Sequence, residues 1–482
     1  MEQKNVILVY PDQYRYDCAS FLGHPQVKTP ALDELAGEST VFSQAFTSFP
    51  LCSPFRASLM TGVYAHKNGM WANHIPIDLN QTFLPELMGQ AGYRTCWVGK
   101  WHLNGGNKFD HVPKEYQLGF DEFIGYSRGH KYQQSLYYIN DDPTPRTSPR
   151  FQPEYQTDQL IDFIDRAVAD NKPFMGMIGY GIPHPPVHDL PEEYKIFAPE
   201  DIQLPDTVPE WERERSRKFC ANYYSMIARV DHELGKLIRH LKEKDLWQNT
   251  IFIFVSDHGE LRGEHGLWDK RSVYRSSMQV PLLIHVPGKE SGMVEQLVDA
   301  SVDLTPTILD YCGLEIPDHM QGRSLRTMIE TGSDAQHNDY VYYELMGIEQ
   351  GEWNARAETE EGNQNGNIRR AFAERGIRTK KWVYVEKMAA PFALYDLEKD
   401  PDETINLVTH TGYIDTVLAL QAQLRKVMEE TGDDWAFTVD GPPKGYQAPS
   451  VAKGFFQKVF PTAVVDDKWM NNEGLGIQGK EC

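Results

Sequence analysis

The chain has 482 residues, with 69 acidic against 48 basic side chains and a net charge of −21. That balance argues against nucleic acid or an anionic membrane surface as a partner. No apolar run approaches membrane-spanning length, and 482 residues exceed what one simple core organises, so two domains are expected.

The six cysteines (Cys18, Cys52, Cys96, Cys220, Cys312 and Cys482) are scattered, with no CxxC or zinc-like spacing and no sign of a disulfide framework. The first ten residues turn strand-like too soon for a signal peptide. The expectation is a cytoplasmic protein or one whose leader has been removed; the sequence does not separate the two.

In chain order, an apolar run at 6–10 predicts a buried strand, followed by Pro11-Asp12-Gln13. A Thr-Pro start opens a helix over 29–37. The segment Leu51-Cys52-Ser53-Pro54-Phe55-Arg56-Ala57-Ser58-Leu59-Met60-Thr61-Gly62 predicts a second helix. Pro54 suits its first turn and Gly62 its stop. Cys52 then lies at a helix N-terminus, where free N–H groups favour an anion, and Arg56 follows one turn on. A lone cysteine is more often a small buried hydrophobe, but these neighbours describe a nucleophile site that handles anions.

A strand at 95–98 leads into Gly99-Lys100-Trp101-His102. A helix over 157–170 precedes a strand at 174–180, which ends near Pro183-His184-Pro185-Pro186. A long helix over 218–242 precedes a strand at 251–255, followed by Ser256-Asp257-His258-Gly259-Glu260. The alternation implies an α/β fold: a large, mixed, mostly parallel sheet sandwiched by helices. Residues 299–325 read as the end of the large domain. Residues 350–368 read as a polar insertion, mobile or facing the substrate as a lid. Strands at 376–386 and 392–396 and a helix at 416–430 build a smaller C-terminal α+β domain, with a Gly/Pro-rich tail from 440. The expected domains are 1–335 and 336–482.

Ligands of open α/β sheets bind beyond the carboxyl ends of the strands. Four strand ends thus bring Asp12, Lys100, His184 and Asp257-His258 to one rim. Each alone reads as a turn or cap residue. Together, Asp12, Asp257 and His258, with the Gln13 oxygen, read as ligands of one divalent metal. Oxygen-dominated donors suit Ca²⁺, Mg²⁺ or Mn²⁺ better than zinc.

In this order, Asp12, the C-x-P-x-R run Cys52 to Arg56, Gly99 to Leu103, His184 to Pro186, Asp257 to Gly259 and the closing Leu394 to Leu407 resemble the type I sulfatases, over about residues 5–410. The pairs Asp12-Gln13 and Asp257-His258 resemble the branch of choline sulfatases, phosphonate monoester hydrolases and bacterial polysaccharide sulfatases. The resemblance implies an alkaline-phosphatase-like fold and a formylglycine made from Cys52 by a formylglycine-generating or anaerobic maturation enzyme. It also implies one divalent metal, Ca²⁺ first, bound with residue 52 as a ligand. It assigns the nucleophile to residue 52, its positioning to Arg56, and charge neutralisation on the sulfate to Lys100 and Lys270. His184 becomes the acid for the leaving oxygen, His102 the base, and Asn73 a substrate contact. The substrate is expected to be a sulfate monoester, a sulfated glycan before a small molecule. Tyr16, Arg15, His66, His74, His188 and Trp268 lie near these motifs and line the pocket or simply pack. The alternatives are a phosphonate monoester or phosphodiester hydrolase on the same scaffold, and a binding protein that keeps Cys52 as a thiol. Lys100 favours the sulfatase, since the phosphonate branch carries an uncharged residue there. The substrate's identity and the oligomeric state stay open.

Overall fold

The computed structural model describes residues 3–345, 374–387 and 390–433. The insertion expected at 350–368 and the tail from 440 lie outside the described residues. The chain divides into two compact units, Met1–Asp339 and Tyr340–Cys482.

The first unit is built on a ten-stranded sheet. Its centre is five parallel strands in the order Thr250–Val255, Asn5–Asp12, Phe174–Pro183, Arg94–Lys100 and Glu122–Tyr126. Antiparallel pairing joins Leu282–His285 at one side and Leu136–Ile139 at the other. The central strands are apolar at nearly every position because both faces are covered. Successive side chains point to opposite faces. Val6, Leu8, Met175, Met177, Ile251 and Ile253 enter one core with Phe55, Leu59 and Met60 of the helix Cys52–Thr61. Ile7, Val9, Ile178, Phe252 and Phe254 enter the other with Leu160 and Phe163 of Gln152–Ala169 and Met226 and Val230 of Arg213–Glu243.

The strands and helices predicted for this unit are all present, and most extend further than the periodicity indicates. The strand expected at 174–180 runs on to Pro183. The helix expected over 218–242 spans Arg213–Glu243. Gly99 sits where the strands Arg94–Lys100 and Phe174–Pro183 leave no room for a side chain. Its φ is +114°, and a Cβ there would lie 2.2 Å from the Gly179 carbonyl oxygen. Only glycine lets Lys100 end that strand flush with its neighbour.

The helix Pro30–Gly37 is capped from a distance. Asp231 accepts the Leu32 N–H at 2.9 Å and the Ala31 N–H at 3.1 Å. Asp231→Ala leaves both N–H groups buried without an acceptor and is expected to cost about 1–3 kcal/mol. Urea denaturation measures this; a midpoint equal to wild type would show the cap to be dispensable.

The second unit is a four-stranded antiparallel sheet in the order Tyr340–Leu345, Glu374–Thr379, Trp382–Lys387 and Ala390–Asp396. The helix Ile414–Thr431 packs on it through Val417, Leu424 and Val427. The single strand expected over 376–386 is instead two strands of a hairpin. The Thr379 hydroxyl accepts the Trp382 N–H at 2.9 Å and the Lys381 N–H at 3.3 Å, which closes the turn. Among the described residues, no helix is long and apolar enough to cross a membrane.

Candidate functional site

Cys52 is the first residue of the helix Cys52–Thr61 and is 1% exposed. Gly62, with φ +68°, ends the helix and donates its N–H to the Ser58 carbonyl. The free N–H of Ser53 is satisfied from outside by Asn73 Oδ1 at 3.0 Å. Cys52 Sγ lies 3.3 Å from His258 Nε2, and 3.8 Å from both Asp12 Oδ1 and Lys100 Nζ.

Asp12, at the end of the central strand, is fully buried. Its Oδ2 takes Lys100 Nζ at 2.6 Å and Arg56 Nη2 at 3.0 Å. Burial alone would raise this carboxyl, but Lys100 and Arg56 hold it well below the usual carboxylate range. Burial and the Asp12 charge would likewise raise the Cys52 thiol. Lys100, Lys270 and His258 outweigh them and bring it below its ordinary value. Arg56 donates to the Lys100 carbonyl and to the Tyr10 hydroxyl, so it ties the Cys52 helix to the ends of two strands.

Asp257 Oδ1 accepts the N–H groups of Gln13 at 2.9 Å and His258 at 3.0 Å. Its Oδ2 is buried with no hydrogen bond among the described residues; the Arg56 guanidinium is 3.5 Å away. His258 Nδ1 donates to the Gly259 carbonyl at 3.0 Å, which turns Nε2 toward Cys52. Ligand atoms of Asp12, Cys52, Asp257 and His258 all lie within 4.8 Å of one another.

On the far side of this group, Lys270 Nζ donates to Gln13 Oε1 at 2.6 Å and to His184 Nε2 at 2.9 Å. Gln13 Nε2 donates to Glu260, whose carboxyl is pushed up to about 7 by burial and by Asp269. His184 Nδ1 donates to the Pro185 carbonyl at 2.6 Å. Burial, Lys270 and Lys100 bring His184 well below its ordinary value. His102 pairs through Nε2 with His74 Nδ1 at 3.2 Å, and its carbonyl accepts the Ser53 hydroxyl at 2.7 Å. Burial and Lys100 lower His102 too. Gln13, His74, His102, Asp269 and Arg271 have positive φ, a clustering of backbone strain that marks functional sites.

Every residue named from sequence as catalytic or metal-binding therefore belongs to one connected cluster. Asn73 meets it as a helix cap. Of the residues near the motifs, Arg15 is buried against Asp17 and Glu264, and Trp268 donates to Glu212 beneath the Arg215 guanidinium, so both are engaged in packing. His130 was missed. Its ring stacks on His184 at 3.7 Å, nearly parallel, and Tyr132 lies against its Nδ1. It follows the strand Glu122–Tyr126, and the strand-end logic that found the others reaches it once that strand is recognised.

These strand-end groups match a known family along the sequence. The sulfatase family profile covers residues 4–314, and the C-terminal profile of N-sulphoglucosamine sulphohydrolase covers residues 263–430. The chain belongs to the sulfatase family. An ulvan-active sulfatase of Formosa agariphila is 29% identical over 89% of this chain and 82% of its own. An endo-4-O-sulfatase of Bacteroides thetaiotaomicron is 26% identical over 90% of this chain and 93% of its own. The phosphonate monoester hydrolase of Agrobacterium radiobacter superposes with a TM-score of 0.72 at 25% identity, covering 89% of this chain and 96% of that one. By family, this sulfatase is a sulfuric ester hydrolase.

The loop that carries Cys52 into the site leans on a second carboxylate cluster. Thr47 and Ser48 bond to Ser301, whose N–H is held by Asp299 at 3.0 Å. Burial and the neighbouring Asp303 push Asp299 up to about 8. The unfolded carboxyl ionises near the ordinary value of about 4. Between that value and about 8 the folded state holds the extra proton, so this group makes stability fall as pH rises through that window. Asp299→Asn is expected to flatten that decline in melting temperature between pH 5 and pH 8.5. An unchanged slope would remove Asp299 as its source.

Proposed function

We propose that this sulfatase hydrolyses the sulfate monoester of a carbohydrate, with Cys52 converted to formylglycine and one divalent cation, Ca²⁺ first and Mg²⁺ or Mn²⁺ next. Asp12, Asp257, His258 and residue 52 would hold the cation, with the Gln13 amide oxygen at the edge of the set. One observation carries this reading: Cys52, at a helix start, lies among two buried carboxylates, an imidazole and a lysine. The residues fit a cation. The donors are mainly hard oxygens, and the buried Asp257 Oδ2 lacks a hydrogen bond among the described residues. When bound, the cation supplies Lewis acidity to adjacent oxygens, and formylglycine supplies an oxygen nucleophile in place of sulfur.

The chain's own residues then have distinct work. Lys100 and Lys270, both buried, offer two ammonium groups to the sulfate oxygens as charge builds on them. This local charge overcomes the acidic surface of the whole. Arg56 holds Asp12 and the Cys52 helix in register. His184 presents Nε2, now bonded to Lys270, to the leaving oxygen. A sulfate group drawing Lys270 toward itself frees Nε2, and its negative charge favours uptake of a solvent proton there, which Nε2 then passes to the leaving oxygen. His102, whose carbonyl accepts the Ser53 hydroxyl, would act as base through its buried Nδ1, which has no hydrogen bond among the described residues. Conversion of Cys52 makes a maturation enzyme an obligate partner.

Peptide mass spectrometry on protein from a host competent in maturation tests the reading. The residue 52 peptide is expected about 18 Da lighter than the thiol form, with desulfation of defined sulfated sugars. An unconverted, fully active protein would overturn it. The fold relatives also allow a phosphonate monoester hydrolase, favoured by the Agrobacterium structure. Kinetics on an aryl sulfate and an aryl phosphonate decide between them; a larger kcat/KM on the phosphonate would favour that reading.

The His184 role has its own test. His184→Gln is expected to lower kcat/KM on a sugar sulfate by about 10²- to 10⁴-fold. The loss on 4-nitrophenyl sulfate should be much smaller, because nitrophenolate leaves without a proton. Equal losses on both would remove His184 as the acid.

A further inference from the structure

The cationic character of the site does not stop at the two lysines. Beyond Lys100 the chain continues in pairing with the strand that follows it in the sheet. Trp101 N–H donates to the Tyr126 carbonyl at 3.0 Å and His102 N–H to the Ser127 carbonyl at 2.6 Å. The next residue, Arg128, bridges in parallel to Lys108, and its carbonyl takes the Phe109 N–H at 2.6 Å. Exposure rises along this path. Lys100 is fully buried, His102 is 5% exposed, Arg128 is half-buried and Lys108 is exposed. The row runs outward from the sulfate site, past the His102–His74 pair, toward solvent.

Arg128 donates Nε to the Gly106 carbonyl at 2.8 Å, which fixes the plane of its guanidinium. Among the described residues, neither Arg128 nor Lys108 has a carboxylate within ion-pair distance. The nearest acidic influence on Arg128 is Asp110, whose carboxylate accepts the Asn107 N–H. Burial lowers Arg128 below its ordinary value, and Asp110 only partly offsets that. Burial, then Arg128, Lys100, Arg271 and Lys108, bring His74 down to about 4. A half-buried guanidinium with a fixed plane and no anion is costly unless a ligand supplies one. In a chain of net charge −21, solubility does not call for such a cluster.

We propose that Arg128, with Lys108 beside it, is an anion subsite next to His74 and His102, and that the sugar released on desulfation carries a second negative group there. This rests on the sulfatase reading and narrows its substrate class to a polyanionic sugar. A carboxylate and a second sulfate both match the guanidinium fork.

The test measures kcat/KM on three substrates: a monosulfated hexose, the same hexose with a second sulfate, and the corresponding monosulfated hexuronic acid. Wild type is expected to favour at least one charged substrate by about 10- to 100-fold. Whichever is favoured identifies the group. Arg128→Gln should collapse that preference, Arg128→Lys should keep part of it, and the exposed Lys108→Gln should reduce it less. Added salt should weaken it. A purely structural Arg128 would lower the melting temperature and all three rates together, leaving their ratio unmoved. That result, or no preference in wild type, would overturn the proposal. Turnover of 4-nitrophenyl sulfate reports sulfate hydrolysis separately. If wild type turns over none of these, the sulfatase reading fails, and calorimetry decides the subsite without catalysis. Methyl glucuronoside must then bind more tightly than methyl glucoside in wild type and not in Arg128→Gln, or the subsite is also rejected.

Discussion

Cys52→Ala is expected to abolish turnover, with kcat/KM on any sulfate ester falling by at least about 10⁴-fold. The fold should survive. Cys52 is buried at a helix start, but the helix keeps Pro54 in its first turn, the Asn73 bond to Ser53 and the Gly62 stop. Removing one sulfur leaves a cavity too small to unfold a unit with two extended cores. The size of the loss follows from placement: the side chain of residue 52 stands amid the proposed cation ligands and beside Lys100, and alanine offers no nucleophile there. Steady-state kinetics beside circular dichroism check this. Substantial activity in a well-folded Cys52→Ala protein would remove residue 52 from the chemistry.

Asp12→Asn is expected to lose activity by about 10³-fold or more and to melt at a lower temperature. Among the described residues, Asp12 is the one carboxylate that pairs both Lys100 and Arg56, and all three side chains are fully buried. Neutralising it leaves buried Lys100 without its carboxylate and Arg56 with Asp257 at 3.5 Å, a loss on the order of 3–5 kcal/mol. A bound divalent ion should also stabilise the wild type, by about 3–4 kcal/mol when it is 100 to 1,000 times above its Kd. A chelator should therefore lower the wild-type melting temperature and move that of Asp12→Asn much less. An equal chelator shift in both would separate Asp12 from the metal. An unchanged melting temperature in the variant would show that the charge balance is held elsewhere.

Much of this site was legible because its signals are local. A helix start is written in Cys52, Pro54 and Gly62, and a strand end in the apolar runs that stop at Asp12, Lys100, His184 and Asp257. Parallel strands place their carboxyl ends on one edge, so four separate runs predict one rim. The second unit was less legible. The run over 376–386 has no glycine at its turn, and the hydrogen bonds of Thr379 fold it into a hairpin.

By itself, the sequence determined the α/β class, the strand order along the chain, the place of Cys52 at a helix start and the sign of each charge at the rim. Periodicity, capping and side-chain chemistry act within a few residues, so they can be read along a line. Only the tertiary structure decided which of those charges meet. It paired Lys270 with Gln13 across 257 positions, stacked His130 on His184, put Asn73 on the Ser53 N–H, and withdrew Arg15 and Trp268 into packing. It also set Arg128 beside Lys108 through a strand pairing. Such contacts depend on sheet register and on where loops return, and these emerge only when distant segments share one core.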